Sequence, residues 1–216
     1  RRTREGRERA GPGARVSSGR VYDVAVVGAG VVGAAIACRL AREPLRVLWL
    51  EAAHDVAEGT SKANSAIATT GWDLDPGTLE ARLLRAAAPG WEMLCARLDV
   101  PYRRVGALAL AFGEEDEAKL AKLAGRAAAS GVEAEHVTAD ELARLCPAAS
   151  REAVAALHVP GEGIVDPLRL TVGFAEAAVR SGAELHLSTP VTAVKSGAGA
   201  ISALVTPRGW PSALGA

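Results

Sequence analysis

Gly28, Gly30, Gly33 and Glu51 have the types and the spacing to hold a dinucleotide. Gly28 permits a tight turn, Gly30 lets the backbone come close to a pyrophosphate, and Gly33 lets a helix pack tightly on the strand before it. Ala29 and Val32 complete the turn. The N–H groups at the start of the helix that follows present a positive dipole end to phosphates. Glu51 stands where a carboxylate can accept hydrogen bonds from an adenosine ribose. Its charge disfavours a 2′-phosphate, which argues against NADP at this site.

Three elements must position these residues. Val24 to Val27 is a short, continuously apolar run, as expected of a strand covered on both faces in a parallel sheet. An alanine-rich helix follows the glycine turn to about Ala41, and a second apolar run, Val47 to Leu50, ends on Glu51. Strand, glycine turn, helix, strand and acid make a dinucleotide-binding βαβ unit. After Glu51 comes a polar, small-residue loop to Thr78, longer than most connections between elements, and its composition favours function over plain connection. Gly59, Thr60, Ser61, Ala63, Asn64, Ser65 and Ala66 combine small size with hydroxyl and amide groups that can lie against a phosphate or a flat polar ring. Lys62 has the charge to meet a phosphate, although a solvated lysine is the commoner case.

The whole chain narrows the choices. Its 216 residues are enough for one large or two modest domains, and 25 basic residues balance 25 acidic ones. That balance gives no electrostatic case for nucleic acid or an anionic membrane as partner. No apolar stretch reaches the length of a membrane span, since Arg39 and Arg42 interrupt the first helix. Cys38, Cys95 and Cys146 stand singly without metal-ligand spacing, which points to free thiols in a reducing, cytoplasmic compartment. The four histidines are dispersed, so no metal site is expected. Residues 1–20 carry seven arginines and four glycines. With no apolar periodicity, they read as a disordered leader or as sequence outside the true start.

Further along, Leu79 to Leu98 reads as two short helices or one broken at Pro89-Gly90. Val105 to Phe112 reads as a strand and Glu114 to Ala129 as an amphipathic helix with an acidic first turn. Thr138 caps another helix in a capping box with Glu141. Val154 to Val159 reads as a strand, Pro160 to Asp166 as a tight loop, and Pro167 opens a helix to about Ser181 that Gly182 closes. Glu184 to Leu187 is a strand returning to the first sheet by a right-handed crossover. Residues 189–194 and 200–206 form an antiparallel pair.

Three motifs together resemble FAD-dependent oxidoreductases of the D-amino-acid oxidase-like superfamily, in the branch that includes glycerol-3-phosphate dehydrogenase and L-2-hydroxyglutarate dehydrogenase. They are VVGAGVVGAAIA with Glu51, the loop GTSKANSAI, and GIVDPLRLTVGFAEAAVRSGAE followed by TPVTAV. The resemblance implies FAD held by Gly28, Ala29, Gly30, Val32, Gly33, Glu51, Thr60, Ser61, Ser65 and Val191, with hydride passing from carbon to flavin. The implied substrates are a small 2-hydroxy acid, glycerol 3-phosphate or an amino acid. Many members carry a histidine beside the flavin where this chain has Thr69, so the catalytic residues stay unassigned. Thr69 and Thr70 are weak candidates, with Trp72, Tyr102, Arg103 and Arg104 as further substrate-side candidates.

The implied fold is α/β: a Rossmann-like FAD-binding domain (21–78 and 166–207) interleaved with part of an α+β substrate domain (79–165), ending in an irregular tail (208–216). Members of the family continue well beyond this point, so a C-terminally truncated fold is expected, with the missing half of the same fold as its partner. Val24 to Val27 is then an apolar open edge, and the chain alone is expected to hold FAD weakly, associate and turn over little. An NAD-binding dehydrogenase, or a catalytically silent dinucleotide-binding fragment, remains the alternative.

Overall fold

The computed structural model describes residues 21–197, 200–207 and 212–214. The expected leader, residues 1–20, lies outside them. The described residues fall into two compact units, one made of the chain up to Lys62 with the chain from Phe174 on, the other of Ala63–Gly173.

The first unit holds β1 (Val21–Tyr22), β2 (Val24–Val27), α1 (Val31–Leu40) and β3 (Val47–Leu50). All four residues of β3 are buried, which explains its unbroken apolar run. It lies between β2 and β10 (Glu184–His186) in a parallel sheet, pairing Val24 with Val47 and Glu184 with Leu48. The helix preceding β10, α6 (Pro167–Arg180), thus ends a crossover back to the first sheet, as the sequence implies. Gly182 follows it at φ +103°, a conformation that favours glycine. α1 buries Ala34, Ala37 and Cys38, small residues three and four apart that let the helix lie close to the sheet.

A second sheet in this unit runs β1, β13 (Ser212–Leu214), β12 (Ala200–Val205), β11 (Ala193–Gly197). β11 and β12 are antiparallel, the expected pair with its first strand starting later. Ser212–Leu214 pairs with β1 and β12, so that part of the tail is a strand rather than irregular. Tyr22, Leu48, Leu50 and Leu204 form a buried cluster that Val191 packs against.

The second unit holds β4 (Ile67–Ala68), α2 (Leu79–Ala87), α3 (Trp91–Leu98), β5 (Tyr102–Arg104) and β6 (Ala107–Ala111). It continues with α4 (Glu114–Ala129), β7 (Glu135–Thr138), α5 (Ala139–Leu145), β8 (Ala155–Val159) and β9 (Gly163–Val165). The broken-helix reading holds: a single 3₁₀ turn, Ala88–Gly90, separates α2 from α3. The capping box on α5 is present, with the Thr138 hydroxyl accepting from the Glu141 N–H and the Glu141 carboxylate accepting from Thr138. The Thr138 backbone N–H, then its hydroxyl, hold the Glu141 carboxyl below its ordinary pKa. The box therefore contributes fully above the ordinary glutamate range, and its contribution is lost as pH falls through the lowered value.

Sheet β6-β8-β7 is covered on both faces. Ala111, Ala155 and Leu157 pack with Leu120 of α4, whereas Ala156 packs with Val137 and Leu142. Alternate residues of β8 thus serve opposite cores, and the strand reads as one apolar run. The strand expected over Val105–Phe112 is shorter, because Gly106 at φ +72° turns the chain before Ala107 and Phe112 is exposed.

Pro160–Asp166 is not a loop throughout. Gly163–Val165 forms β9, the central strand of sheet β4-β9-β5. Its partners are distant in sequence, and a three-residue strand carries too little local pattern to announce itself. A β-carbon on Gly163 would come 2.6 Å from the Tyr102 ring, so the ring occupies the space a side chain at this position would take.

β2 has β3 as its only ladder partner among the described residues, and Val27 at its end is 57% exposed. An open apolar edge of this kind templates association. The isolated chain is expected to self-associate in light scattering, and Val27→Lys, which places a charge on that edge, to shift it toward monomer.

Candidate functional site

The glycine turn of the first unit is anchored from β3. The Gly28 N–H donates to the Leu50 carbonyl at 2.8 Å, and the Trp49 indole N–H donates to the Gly28 carbonyl at 2.9 Å. Gly28 has φ +98°, and a β-carbon there would meet nothing within 4 Å. At Gly33 a β-carbon would lie 2.0 Å from the Gly28 oxygen. Helix and turn are as close as two backbones come, and any side chain at Gly33 must push them apart.

Gly30 is the N-cap of α1 in extended conformation. The Val31 N–H donates to Ser61 Oγ at 2.9 Å, and a β-carbon on Gly30 would come 3.0 Å from that oxygen. The hydroxyl of the loop after Glu51 thus caps the helix, and Gly30 makes room for it. The N–H groups of Val32 and Gly33, in the same first turn, have no carbonyl four residues back within the helix. Val32 is 69% exposed. A groove of about 510 Å³ runs from Gly28, Gly30 and Ser61 along β2 and α1 to Ile36 and Leu40.

The Glu51 side chain is turned back to the turn. One carboxylate oxygen accepts from the Ala29 N–H at 2.5 Å, and the other accepts from Ala53 N–H at 2.7 Å. Its backbone is held as well, donating to His186 O and accepting from the Thr189 N–H. A carboxylate has about four lone-pair sites, so two remain for a ligand's hydroxyls. Thr60 opens the 3₁₀ turn Thr60–Lys62, and Lys62 is spent on Glu58 at 2.8 Å. Val191 is half-buried against the Tyr22 cluster.

Glycine turn, exposed helix N-terminus, hydroxyl loop and carboxylate therefore converge in this unit. This donor set suits a dinucleotide pyrophosphate and ribose, and FAD fits it: a β-carbon on Gly30 would crowd Ser61, so the space beside the first N–H groups is kept by the absence of a side chain. Trp49, which ties the turn to β3, escaped the sequence reading. A tryptophan in a buried strand looks like core, and its N–H partner is visible only in three dimensions.

The second unit has a cavity of about 480 Å³, whose polar lining includes Ser65, Thr69, Trp72, Asp73, Glu80 and Glu162. Ser65 belongs to this wall with Thr69; Tyr102, Arg103 and Arg104 do not line it. Tyr102 stacks on Trp91 with ring centroids 6.4 Å apart, and both arginines are exposed on β5. Thr70 is buried. Glu162, only 3% exposed, accepts from the Thr70 N–H at 2.5 Å, the Thr70 hydroxyl at 2.7 Å and the Thr69 hydroxyl at 3.3 Å, all on one oxygen. Glu162 falls in the stretch whose sequence reads as a tight loop, and no local signal marks it because its partners are more than ninety residues away. Among the described residues no cluster of His, Cys, Asp or Glu suits a metal ion, and no helix is long and apolar enough to cross a membrane. Cys38, Cys95 and Cys146 are unpaired, and burial pushes the Cys95 thiol up.

This geometry is that of a known class. The signature of the FAD dependent oxidoreductase family (DAO) matches residues 23–212, and the chain belongs to that family. It is 36% identical over 176 residues to a glycerol 3-phosphate dehydrogenase of Caloramator mitchellensis, which covers 81% of this chain and 37% of that protein. It is 31% identical over 176 residues to the mitochondrial L-2-hydroxyglutarate dehydrogenase of Caenorhabditis elegans, covering 79% of this chain and 40% of that protein. A solved structure, dithionite-reduced L-α-glycerophosphate oxidase of Mycoplasma pneumoniae with FAD bound, superposes with a TM-score of 0.84 at 30% identity. It covers 89% of this chain and 52% of that one. Glycine oxidases are among the further relatives. The chain thus spans about half or less of the length of the proteins it matches. The family match replaces the NAD-binding alternative with FAD.

Gly33→Ala is expected to lower stability by about 2 kcal/mol through overpacking against Gly28, read as a shift of the urea midpoint at unchanged slope.

Proposed function

We propose that these residues form the FAD-holding part of an enzyme that oxidises a small 2-hydroxy acid, glycerol 3-phosphate or an amino acid. The cofactor segments are 21–78 and 166–207, and 79–165 belongs to the substrate domain. The observation that carries the reading is the α1 N-terminus, with a hydroxyl and a carboxylate beside it and space next to Ser61 that Gly30 leaves open.

In this reading Gly30, Val32 and Gly33 present backbone N–H groups and the helix dipole to the pyrophosphate, while Gly28 and Ala29, whose N–H groups are held by Leu50 and Glu51, form the small-residue turn that lies against it. Ser61 exchanges its bond to the Val31 N–H for one shared with a phosphate oxygen, and Thr60 lies beside it. Glu51 accepts from ribose hydroxyls while its bond to the Ala29 N–H keeps it aimed along the turn. Val191 supports the adenine end through its backbone. Bound FAD supplies hydride acceptance, and the protein's part is to bind it, orient the substrate and exclude water. Ser65 completes the set of residues that hold the cofactor, and on the substrate side Thr69 and Thr70 stand on or behind the cavity wall of the second unit.

Two further parts belong to the same proposal. The open edge of β2 takes a strand from outside these 216 residues, which the partial span of the relatives supports. The location is cytoplasmic, in keeping with three unpaired thiols.

Titration with FAD, followed by flavin fluorescence, tests the reading. Gly30→Val is expected to abolish binding by filling the space beside Ser61. Glu51→Ala is expected to weaken it by about 1.5–3 kcal/mol, roughly ten- to a hundredfold, for a lost charge-assisted acceptor. Unchanged affinity in both variants would remove the phosphate and ribose assignments.

A further inference from the structure

Carboxyl groups stand on the wall of the second unit's cavity, beside the Ser65 hydroxyl, the Trp72 indole and the apolar Ile67, Leu74 and Leu84. Asp73, Glu80 and Glu162 contribute carboxyl groups to it, and its lining contains no Lys, Arg or His. The hydroxyl of Thr69 completes this pattern in a way its residue type does not suggest. A threonine hydroxyl has one proton to donate and two lone pairs. Its proton is directed at Glu162, whose carboxylate can only accept, at 3.3 Å. One of its lone pairs takes the Gly71 N–H at 3.1 Å. What remains to Thr69 on the cavity wall is a single acceptor site.

Glu162 enforces this arrangement because it is itself immobilised. Its carbonyl accepts from the N–H groups of Val105 and Gly106 at 3.2 and 2.9 Å, and its own N–H donates to Val159. Its side-chain oxygen holds both the backbone and the hydroxyl of Thr70. The turn Thr69–Gly71 is thereby pinned to the β8–β9 connection, and Gly71, at φ +77°, closes it. A β-carbon on Gly161 would come 3.2 Å from the Thr70 methyl, so the turn fits closely on that side too.

We propose that the Glu162–Thr69 pair is a specificity device: Glu162 is a positioning residue that turns Thr69 into a hydrogen-bond acceptor, so that the cavity selects ligands carrying an O–H or N–H donor. This rests on the reading that the cavity receives the substrate whose alcohol or amine carbon is oxidised. Thr69 then accepts from the hydroxyl or amino group of that substrate and orients it.

The test uses the FAD-loaded protein with the strand that the proposed function seats on the β2 edge supplied in the same chain, and glycerol 3-phosphate, 2-hydroxyglutarate and glycine as substrates. For whichever of these bleaches the flavin, the analogue lacking its hydroxyl or amino groups (propyl phosphate, glutarate or acetate) serves as an inhibitor. Thr69→Val and Glu162→Ala are expected to raise KM for the substrate about tenfold with kcat little changed, the pattern of a lost binding contact. The inhibition constant of the donor-free analogue is expected to stay within about twofold of wild type, as is the dissociation constant for FAD. Glu162→Gln, whose amide oxygen accepts the same bonds, is expected to recover most of the loss.

The inference is overturned if KM does not move in Thr69→Val, or if the analogue weakens in step with the substrate. It is also overturned if Glu162→Gln is as impaired as Glu162→Ala. A wild-type protein that takes up no FAD, or takes it up and is bleached by none of the three, refutes the underlying reading instead. Should Glu162→Ala fail to fold, Thr69→Val with the substrate and analogue pair decides alone.

Discussion

The carbonyl oxygen of Gly28 is the point on which the first unit turns. It accepts the Trp49 indole N–H from β3 and lies 2.0 Å from where a β-carbon on Gly33 would stand. Strand, turn and helix are locked together by one backbone group that has no room for a neighbour's side chain. From that contact follows the placement of the α1 N-terminus. From that placement follows which N–H group Ser61 can reach. The buried alanines of α1 and the fully buried β3 serve the same closeness, since larger residues would hold the helix away from the sheet.

Glu51 and Glu162 show two ways in which one carboxylate can organise a loop. Glu51 links the turn after β2 to the start of the long loop through the Ala29 and Ala53 N–H groups. Its remaining lone pairs are the ones a ribose can use. Glu162 concentrates three donors from Thr69 and Thr70 on one oxygen and so decides what the neighbouring hydroxyl has left to offer. In both cases the first duty of the acid is toward its own backbone, and its chemistry toward a ligand is what remains. A buried acid such as Glu162 is tolerated on these terms, because an unpaired one costs several kcal/mol of desolvation.

Much of the first unit was legible. The glycine spacing, the apolar runs and the acid after the second run specify a βαβ unit because each is needed by a local backbone event. The capping box on α5, the break between α2 and α3, and the crossover to β10 were legible for the same reason. The short strands β4, β5, β7 and β9 were not. Each has four residues or fewer, and its identity depends on a partner supplied from far along the chain. Ser61 and Ser65 illustrate the same limit within one loop. The two are four residues apart and alike in type, yet Ser61 caps α1 and Ser65 stands on the cavity wall of the other unit.

By itself, then, the amino-acid sequence determined a βαβ unit of the dinucleotide-binding kind and its place in the chain. Glycines without β-carbons, a helix start and a carboxylate act over a few residues, and their spacing survives as a readable string. The tertiary structure alone decided that Trp49 clasps the turn, that Ser61 caps α1, and that Glu162 commands the Thr69 hydroxyl. These are hydrogen bonds between groups tens of residues apart. The direction of a shared proton is set by which partners the fold brings within 3 Å or so, and no local pattern encodes that.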